Sequence, residues 1–299
     1  MAEAPDAADR GPRLHEARAF MFDIDGTLVH RDGDGRAHPQ PRANEVLEAI
    51  RHSGRKLVLF TNGSHVPSAR IAAGLRDDGL HVTDEEVLTP VDSATAWLNR
   101  HPERHPVHAF ASDAVAEHML AAGVPLTAGE DARAVFVAHL QEVALEEVER
   151  AARAIAANQA PLFTSSYVRG YAGVNGIIFS RGSMITAAIA KVSGARPRLL
   201  GKPSRAAVAA LQARLGVPAT QIAVIGDDLG MDIALGRMGG SRTVLVRSGI
   251  SGEIDLDGVP ERHRPDGAVD AVAELLPLLQ PLPAVSRSRR GSRARRSRR

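Results

Sequence analysis

The sequence contains no cysteine, which excludes a disulfide framework, a thiolate metal site and a cysteine nucleophile together. That absence suits a cytoplasmic protein. Aromatic residues make up only 3% of the chain, so the core has to be aliphatic, with alanine and valine packing helices closely on buried strands. No apolar run approaches the roughly 18 residues of a membrane-spanning helix. The first twenty residues carry Asp6, Asp9, Arg10, Arg13 and Glu16 where a secretory signal would need a continuous apolar stretch. Lysine is scarce as well: Lys56, Lys191 and Lys202 stand against 34 arginines. In such a chain Lys202 marks a position that wants a compact point charge and not a planar fork.

The formal charge of +2 hides an asymmetry. Eight of the 37 basic residues lie in 287–299, and the remaining 29 face 35 acidic residues, so the body of the protein is acidic and the basic character belongs to the tail. Residues 286–299 are only serine, arginine, glycine and alanine, a low-complexity composition that reads as disordered. Counterion release would let such a tail touch nucleic acid, but it has no interleaved aromatics and no reading module, so nucleic-acid contact is not its expected role. With 299 residues and a 44% apolar share, the chain suffices for one large α/β unit or for a core carrying a second domain.

Apolar runs at 19–22 and 56–60 read as buried strands. The first leads into Asp23-Ile24-Asp25-Gly26 and the second into Thr61-Asn62-Gly63-Ser64, with helical patterns at 41–52 and from about Pro67. The same arrangement returns late: a strand at 221–225 ends at Gly226-Asp227-Asp228, followed by a helix near 229–238 and a strand at 243–246. Strands alternating with helices predict an α/β fold with a parallel, Rossmann-like sheet covered on both faces, where ligands sit beyond the carboxyl ends of the strands. Between the two halves, strands at 107–111, 134–138 and 161–164 and helices at 113–122 and 145–158 make an insertion long enough to be a domain.

In an extended strand Asp23 and Asp25 project to one side while Ile24 points to the other, so two carboxylates can converge on one site. One can attack phosphorus if a cation neutralises the phosphate oxygens, and the other can protonate the leaving alcohol and then activate water. Asp227 and Asp228 add oxygen ligands of the kind magnesium prefers. Three other motifs fail on inspection. Gly201-Lys202 lacks the glycine spacing and the following Ser/Thr of a P-loop. Asp32-Gly33-Asp34-Gly35 lacks the terminal Glu of an EF-hand and reads as a flexible turn. His101, His105 and His108 are interrupted by Pro102 and Pro106 and read as solvated loop.

Asp-Ile-Asp-Gly-Thr-Leu at 23–28, Thr61-Asn62, Lys202 in Gly201-Lys202-Pro203-Ser204, and Gly226-Asp227-Asp228 with Asp232 follow one another as the four motifs of the haloacid dehalogenase-like phosphohydrolases do. The sequence therefore resembles that superfamily over about 18–279. The long interval between Asn62 and Lys202 resembles class IIA, the branch of NagD-type, p-nitrophenyl, phosphoglycolate and pyridoxal phosphatases. The resemblance implies Asp23 as nucleophile and magnesium ligand, Asp25 as acid/base whose carbonyl also binds Mg2+, and Asp227 as the third protein ligand. It implies Thr61 and the Asn62 amide as phosphate holders, Lys202 as the neutralising charge, and Asp232, with Asp228, as supporting residues. It further implies a small phosphorylated metabolite as substrate and a homodimer.

The domain expectation is an extension at 1–17, a core at 18–88 and 181–283, an α/β cap at 89–180 and a tail at 284–299. Tyr167, Arg169 and Tyr171 in the cap are candidates for substrate recognition. One departure stands out: the Ala-Thr-Asn-x-Asp segment of many relatives corresponds here to Phe163-Thr164-Ser165-Ser166-Tyr167. The alternatives to a phosphatase are a phosphotransferase, or a regulatory protein of the same fold that uses its basic tail.

Overall fold

A computed structural model describes residues 12–173 and 176–280. In chain order they form β1 (Ala19–Phe22), a hairpin of β2 (Val29–Arg31) and β3 (Ala37–Pro39), α1 (Ala43–His52), β4 (Lys56–Phe60), α2 (Ser68–Asp77), β5 (Val87–Leu88) and α3 (Pro90–Asn99). There follow β6 (Val107–Phe110), α4 (Asp113–Ala121), β7 (Ala134–Val137), α5 (Leu145–Asn158), β8 (Leu162–Thr164), β9 (Gly170–Gly173), β10 (Gly176–Phe179), α6 (Arg181–Ser193) and β11 (Arg198–Leu199). The chain closes with α7 (Arg205–Leu215), β12 (Ile222–Gly226), a π-helical turn (Leu229–Ile233), α8 (Ala234–Gly239), β13 (Arg242–Val246), β14 (Gly267–Val269) and α9 (Leu275–Leu278).

The core sheet runs β14-β13-β12-β1-β4-β5, parallel at every pairing. Its central strand shows why the sequence folds this way. All four residues of β1 are buried, and alternation sends Phe20 and Phe22 into one aliphatic layer and Ala19 and Met21 into the other. Each buried phenylalanine contributes about 2–3 kcal/mol of transfer free energy. β1 is also the switch point of the sheet: one crossover leads out to β4 and β5, while β12 to β14 lie on its other side. Phe22 is in register with Ile225 of β12 and Leu59 of β4, so the residues after these three strands emerge side by side.

A second parallel sheet, β11-β8-β7-β6, repeats the logic on a smaller scale. Ala134 and Phe136 of β7 face a layer with α3 and α4, and Val135 and Val137 face α5 and α6. Two boundaries expected from the sequence move. Residues 181–199, assigned in the sequence to the core, belong with the cap sheet, since α6 packs on α5 and β11 pairs with β8. The two-residue β11 is too short to show any periodicity in the sequence. Residues 12–17 are not a loose extension, because Leu14 is fully buried in the core and its carbonyl accepts a bond from Arg55. Residues 1–11 and the tail at 284–299 lie outside the described residues. Among the described residues no helix is long and apolar enough to cross a membrane.

The Asp32-Gly33-Asp34-Gly35 segment is the tip of the β2–β3 hairpin, closed by the Asp32 carboxylate, which accepts from the Asp34 and Arg36 amides at 3.0 Å. His108 departs from the solvated-loop expectation: it is buried on β6 and stacked on Phe110. The aromatic neighbour two residues on, on the same face of the strand, explains the difference.

Candidate active site

The carboxyl ends of the three central strands deliver Asp23 after β1, Thr61 after β4 and Asp227 after β12. Lys202 arrives from the return of the chain out of the cap. Its ammonium donates to Asp23 Oδ1 at 2.5 Å, to the Phe60 carbonyl at 2.6 Å and to Asp232 Oδ1 at 2.7 Å, so all three of its protons are used. The group is nearly sealed, with Lys202 3% and Asp232 1% exposed. Burial works against the ammonium, but Asp23 and Asp232 outweigh it and hold Lys202 above the ordinary lysine range.

Asp23, Asp227 and Asp232 bring carboxylate oxygens within 4.8 Å of one another. Burial pushes the Asp23 carboxyl well up; Asp232 and Asp227 add to that push and Lys202 opposes it. Burial likewise pushes Asp232 up to about 6. Asp227 is raised by burial too, against the Ile250 amide that donates to its Oδ2 at 2.7 Å. Three carboxylates against one ammonium leave two negative charges uncompensated where water is scarce. A divalent cation with a preference for oxygen ligands fits that donor set, and protons are the alternative compensation.

Glycines make the close packing feasible. A Cβ on Gly226 would lie 2.3 Å from Asp232 Oδ2, and one on Gly249 1.9 Å from Asp227 Oδ2. Gly26, at φ +83°, combines a left-handed turn with a virtual Cβ 2.5 Å from Asp227 Oδ2.

Asp25 is placed differently from the expectation. β1 ends at Phe22 and the chain turns through Gly26, so strand alternation does not carry the second carboxylate into the buried group. The Asp25 carboxylate is half exposed and accepts from Arg31 Nε at 2.6 Å. Asp232 takes its place in the trio. Asp228 caps the π-helical turn, accepting from Gly230 N at 2.6 Å and Met231 N at 3.2 Å, which accounts for it as a structural residue. The Thr61 hydroxyl accepts from the Gly63 amide at 3.0 Å, which leaves its own proton to donate. The Asn62 carboxamide brackets the Lys202 backbone, donating to its carbonyl and accepting from its amide, each at 2.9 Å.

Of the cap candidates, Tyr167 is half exposed and Arg169 lies over the Phe179 ring at 5.7 Å. Tyr171 is on β9, and its side chain lies outside the described part of the structure. Sequence reasoning missed Ser64. Its hydroxyl pairs with Ser165 Oγ at 3.0 Å and accepts from the His139 amide at 3.1 Å, tying the loop after β4 to the ends of β7 and β8. It also missed the turn after β13, where Ile250 and Ser251 hold Asp227 and the π-helical turn. The glycines at 249 and 252 were its only sequence signal.

A family model described as haloacid dehalogenase-like hydrolase matches residues 20–125. A second, described as HAD-hydrolase-like, matches 199–275. The chain belongs to the haloacid dehalogenase-like hydrolases. Among the relatives of this family member, dihydroxyacetone phosphatase of Corynebacterium glutamicum (strain R) is 25% identical over 86% of this chain and 90% of its own. Ribonucleotide monophosphatase NagD of Escherichia coli K12 is 29% identical over 85% of this chain and 96% of its own. The solved structure of NagD superposes with a TM-score of 0.77 over 86% of this chain and 98% of that one, at 27% identity. A 4-nitrophenylphosphatase from Thermotoga maritima shares the fold, with a TM-score of 0.79 at 23% identity over 90% and 99% of the two chains. The second sheet is built from residues inserted between Asn62 and Lys202.

Proposed function

We propose that this hydrolase cleaves small phosphate monoesters with the help of magnesium, through an aspartyl phosphate on Asp23. The observation that carries the reading is Lys202, held at once by Asp23 and Asp232 inside a buried acidic trio. A cation-neutralised carboxylate at the end of a central strand is the arrangement a nucleophile for phosphorus needs. The names of the relatives, dihydroxyacetone phosphatase and ribonucleotide monophosphatase, support a small phosphorylated metabolite as substrate.

Thr61 and the Asn62 amide hold the phosphate oxygens beside Asp23. An Asp23 oxygen attacks phosphorus, the bond to the ester oxygen breaks, and Asp25 gives the departing alkoxide its proton. Asp25 then takes a proton from water, which attacks the same phosphorus and frees phosphate and Asp23. Arg31 holds Asp25 at the mouth of the site, ready for both transfers. Asp23, Asp227 and the Asp25 carbonyl are the proposed ligands of Mg2+, which when bound neutralises phosphate charge; Asp232 orients Lys202. The cap at about 89–200 closes over the leaving group, and Tyr167, Arg169 and Tyr171 are its candidates for selecting it.

The test is phosphate release from a panel of monoesters with and without Mg2+, for the wild type and Asp23→Asn. Release that needs the metal and disappears in the variant is the expected result. A folded wild type that releases phosphate from none of them overturns the reading.

A further inference from the structure

Two imidazoles meet where core and cap adjoin. His65 follows the phosphate-holding loop in the core, and His139 follows β7 in the cap; their rings are 6.2 Å apart and nearly perpendicular. His65 is close to the reacting centre. A methyl group placed on Gly63 would sit 3.4 Å from Thr61 Oγ1 and 3.8 Å from His65 Cε1, so the ring and the hydroxyl border the same glycine. The backbones on both sides are pinned: Ser112 Oγ donates to the His65 carbonyl at 2.9 Å, and the His139 amide donates to Ser64 Oγ at 3.1 Å. Asp25 and Arg31 lie within electrostatic reach of His65.

We propose that His65 and His139 are specificity-determining residues that hydrogen-bond hydroxyl groups of the departing alcohol, which makes small polyol and sugar monophosphates the preferred substrates. The inference rests on the hydrolase reading above and adds to it the chemistry of the leaving group.

The surroundings favour hydroxyls over a second anion. Two guanidiniums near the pair are already engaged: Arg31 is bound to Asp25 and to the Gly35 carbonyl, and Arg181 to the Gln141 carbonyl. Partial desolvation lowers both imidazoles below the ordinary histidine value, although His65 keeps an exposed face; His139 and Arg31 reinforce this at His65 against Asp25, and Arg181 reinforces it at His139. A neutral imidazole offers one donor and one acceptor, which a hydroxyl matches and a carboxylate does not. Gln141 Nε2 lies 3.4 Å from His139 Nε2 and adds a neutral polar group to the same rim.

The experiment compares kcat/KM of the wild type, His65→Ala, His139→Ala, the double variant and His139→Asn. The substrates are glycerol 3-phosphate, dihydroxyacetone phosphate and ribose 5-phosphate against p-nitrophenyl phosphate, with phosphoglycolate as the carboxylate-bearing ester. The readout is the ratio between hydroxylated esters and p-nitrophenyl phosphate, which a general loss of fold or of chemistry does not move. We expect each alanine to lower that ratio about tenfold, mainly through KM, and His139→Asn to recover part of it. An unchanged ratio overturns the proposal, as does a selective loss on phosphoglycolate, which would assign the pair to an anion. A wild type inactive on every ester removes the hydrolase reading and this inference together. A wild type active on p-nitrophenyl phosphate with no preference for hydroxylated esters removes this inference alone.

Discussion

At their carboxyl ends the two parallel sheets carry different chemistry. The core strands finish in Asp23, Thr61 and Asp227, and the two carboxylates are buried with Lys202. The cap strands finish in Ala138-His139 and Ser165-Ser166, where the His139 amide and the Ser165 hydroxyl meet the Ser64 hydroxyl. Both sheets are built alike, with β1 and β7 each sending alternate side chains into two apolar layers. Architecture therefore does not separate them. Charge does: the core concentrates charge where charge must be neutralised, and the cap offers neutral contacts that can discriminate between alcohols.

The largest expected effect tests the core side. Asp23→Asn keeps the shape but removes the nucleophilic carboxylate, and kcat should fall on the order of 10³-fold or more on every ester alike, in steady-state phosphate release. Equal loss across substrates is what separates this change from one in the cap. A variant that kept a substantial fraction of its rate would move the nucleophile elsewhere.

Lys202→Met should be the most destabilising single change in the site. It removes the cation that lies between Asp23 and Asp232 and leaves two buried carboxylates facing each other. Breaking such a pair costs about 3–5 kcal/mol, read from chemical unfolding without metal. A loss below about 1 kcal/mol would mean that protonated carboxyls compensate, which a flat unfolding midpoint between pH 5 and 7 would contradict.

Magnesium should stabilise the protein more at pH 7.5 than at pH 5.5. The folded Asp232 carboxyl titrates near 6 and Asp23 and Asp227 are also raised, above ordinary carboxyls in the unfolded chain. Between about pH 4 and 6 the folded state therefore holds the extra protons, and its stability declines as pH rises through that window. A cation that replaces those protons reverses the loss, so the rise in Tm on adding Mg2+ should grow with pH and vanish with chelator. A pH-independent rise would place the metal away from the trio.

The core side of this comparison was legible in the sequence and the junction was not. The strands 19–22 and 56–60 appear in the structure with the expected bounds, because runs of buried apolar residues between turn signals leave little choice. Asp23, Lys202 and Asp227 carry their chemistry in residue type and order. Reading Asp25 by strand alternation carries the strand beyond Phe22, where β1 ends, into the turn that Gly26 makes at φ +83°. The pairing of β11 with β8, and the meeting of Ser64, His65, His139 and Ser165, depend on how a two-residue strand and three separate loops fold together. No local period encodes such a meeting.

Ser64 is the residue that touches both regions, so replacing it gives the smallest but most informative perturbation. Its hydroxyl accepts from the His139 amide and pairs with Ser165 in a buried setting. Ser64→Ala leaves an N–H and a hydroxyl to find other partners, at about 1–2 kcal/mol. The chemistry at Asp23 is untouched by this change, whereas the distance between the two imidazoles is no longer fixed. KM for hydroxylated esters should therefore rise a few-fold, by about the stabilisation a single hydrogen bond gives, with kcat nearly constant. A fall in kcat with constant KM would show instead that the cap transmits strain into the loop holding Thr61 and Asn62, and that the division between charged core and neutral cap is not a division of labour.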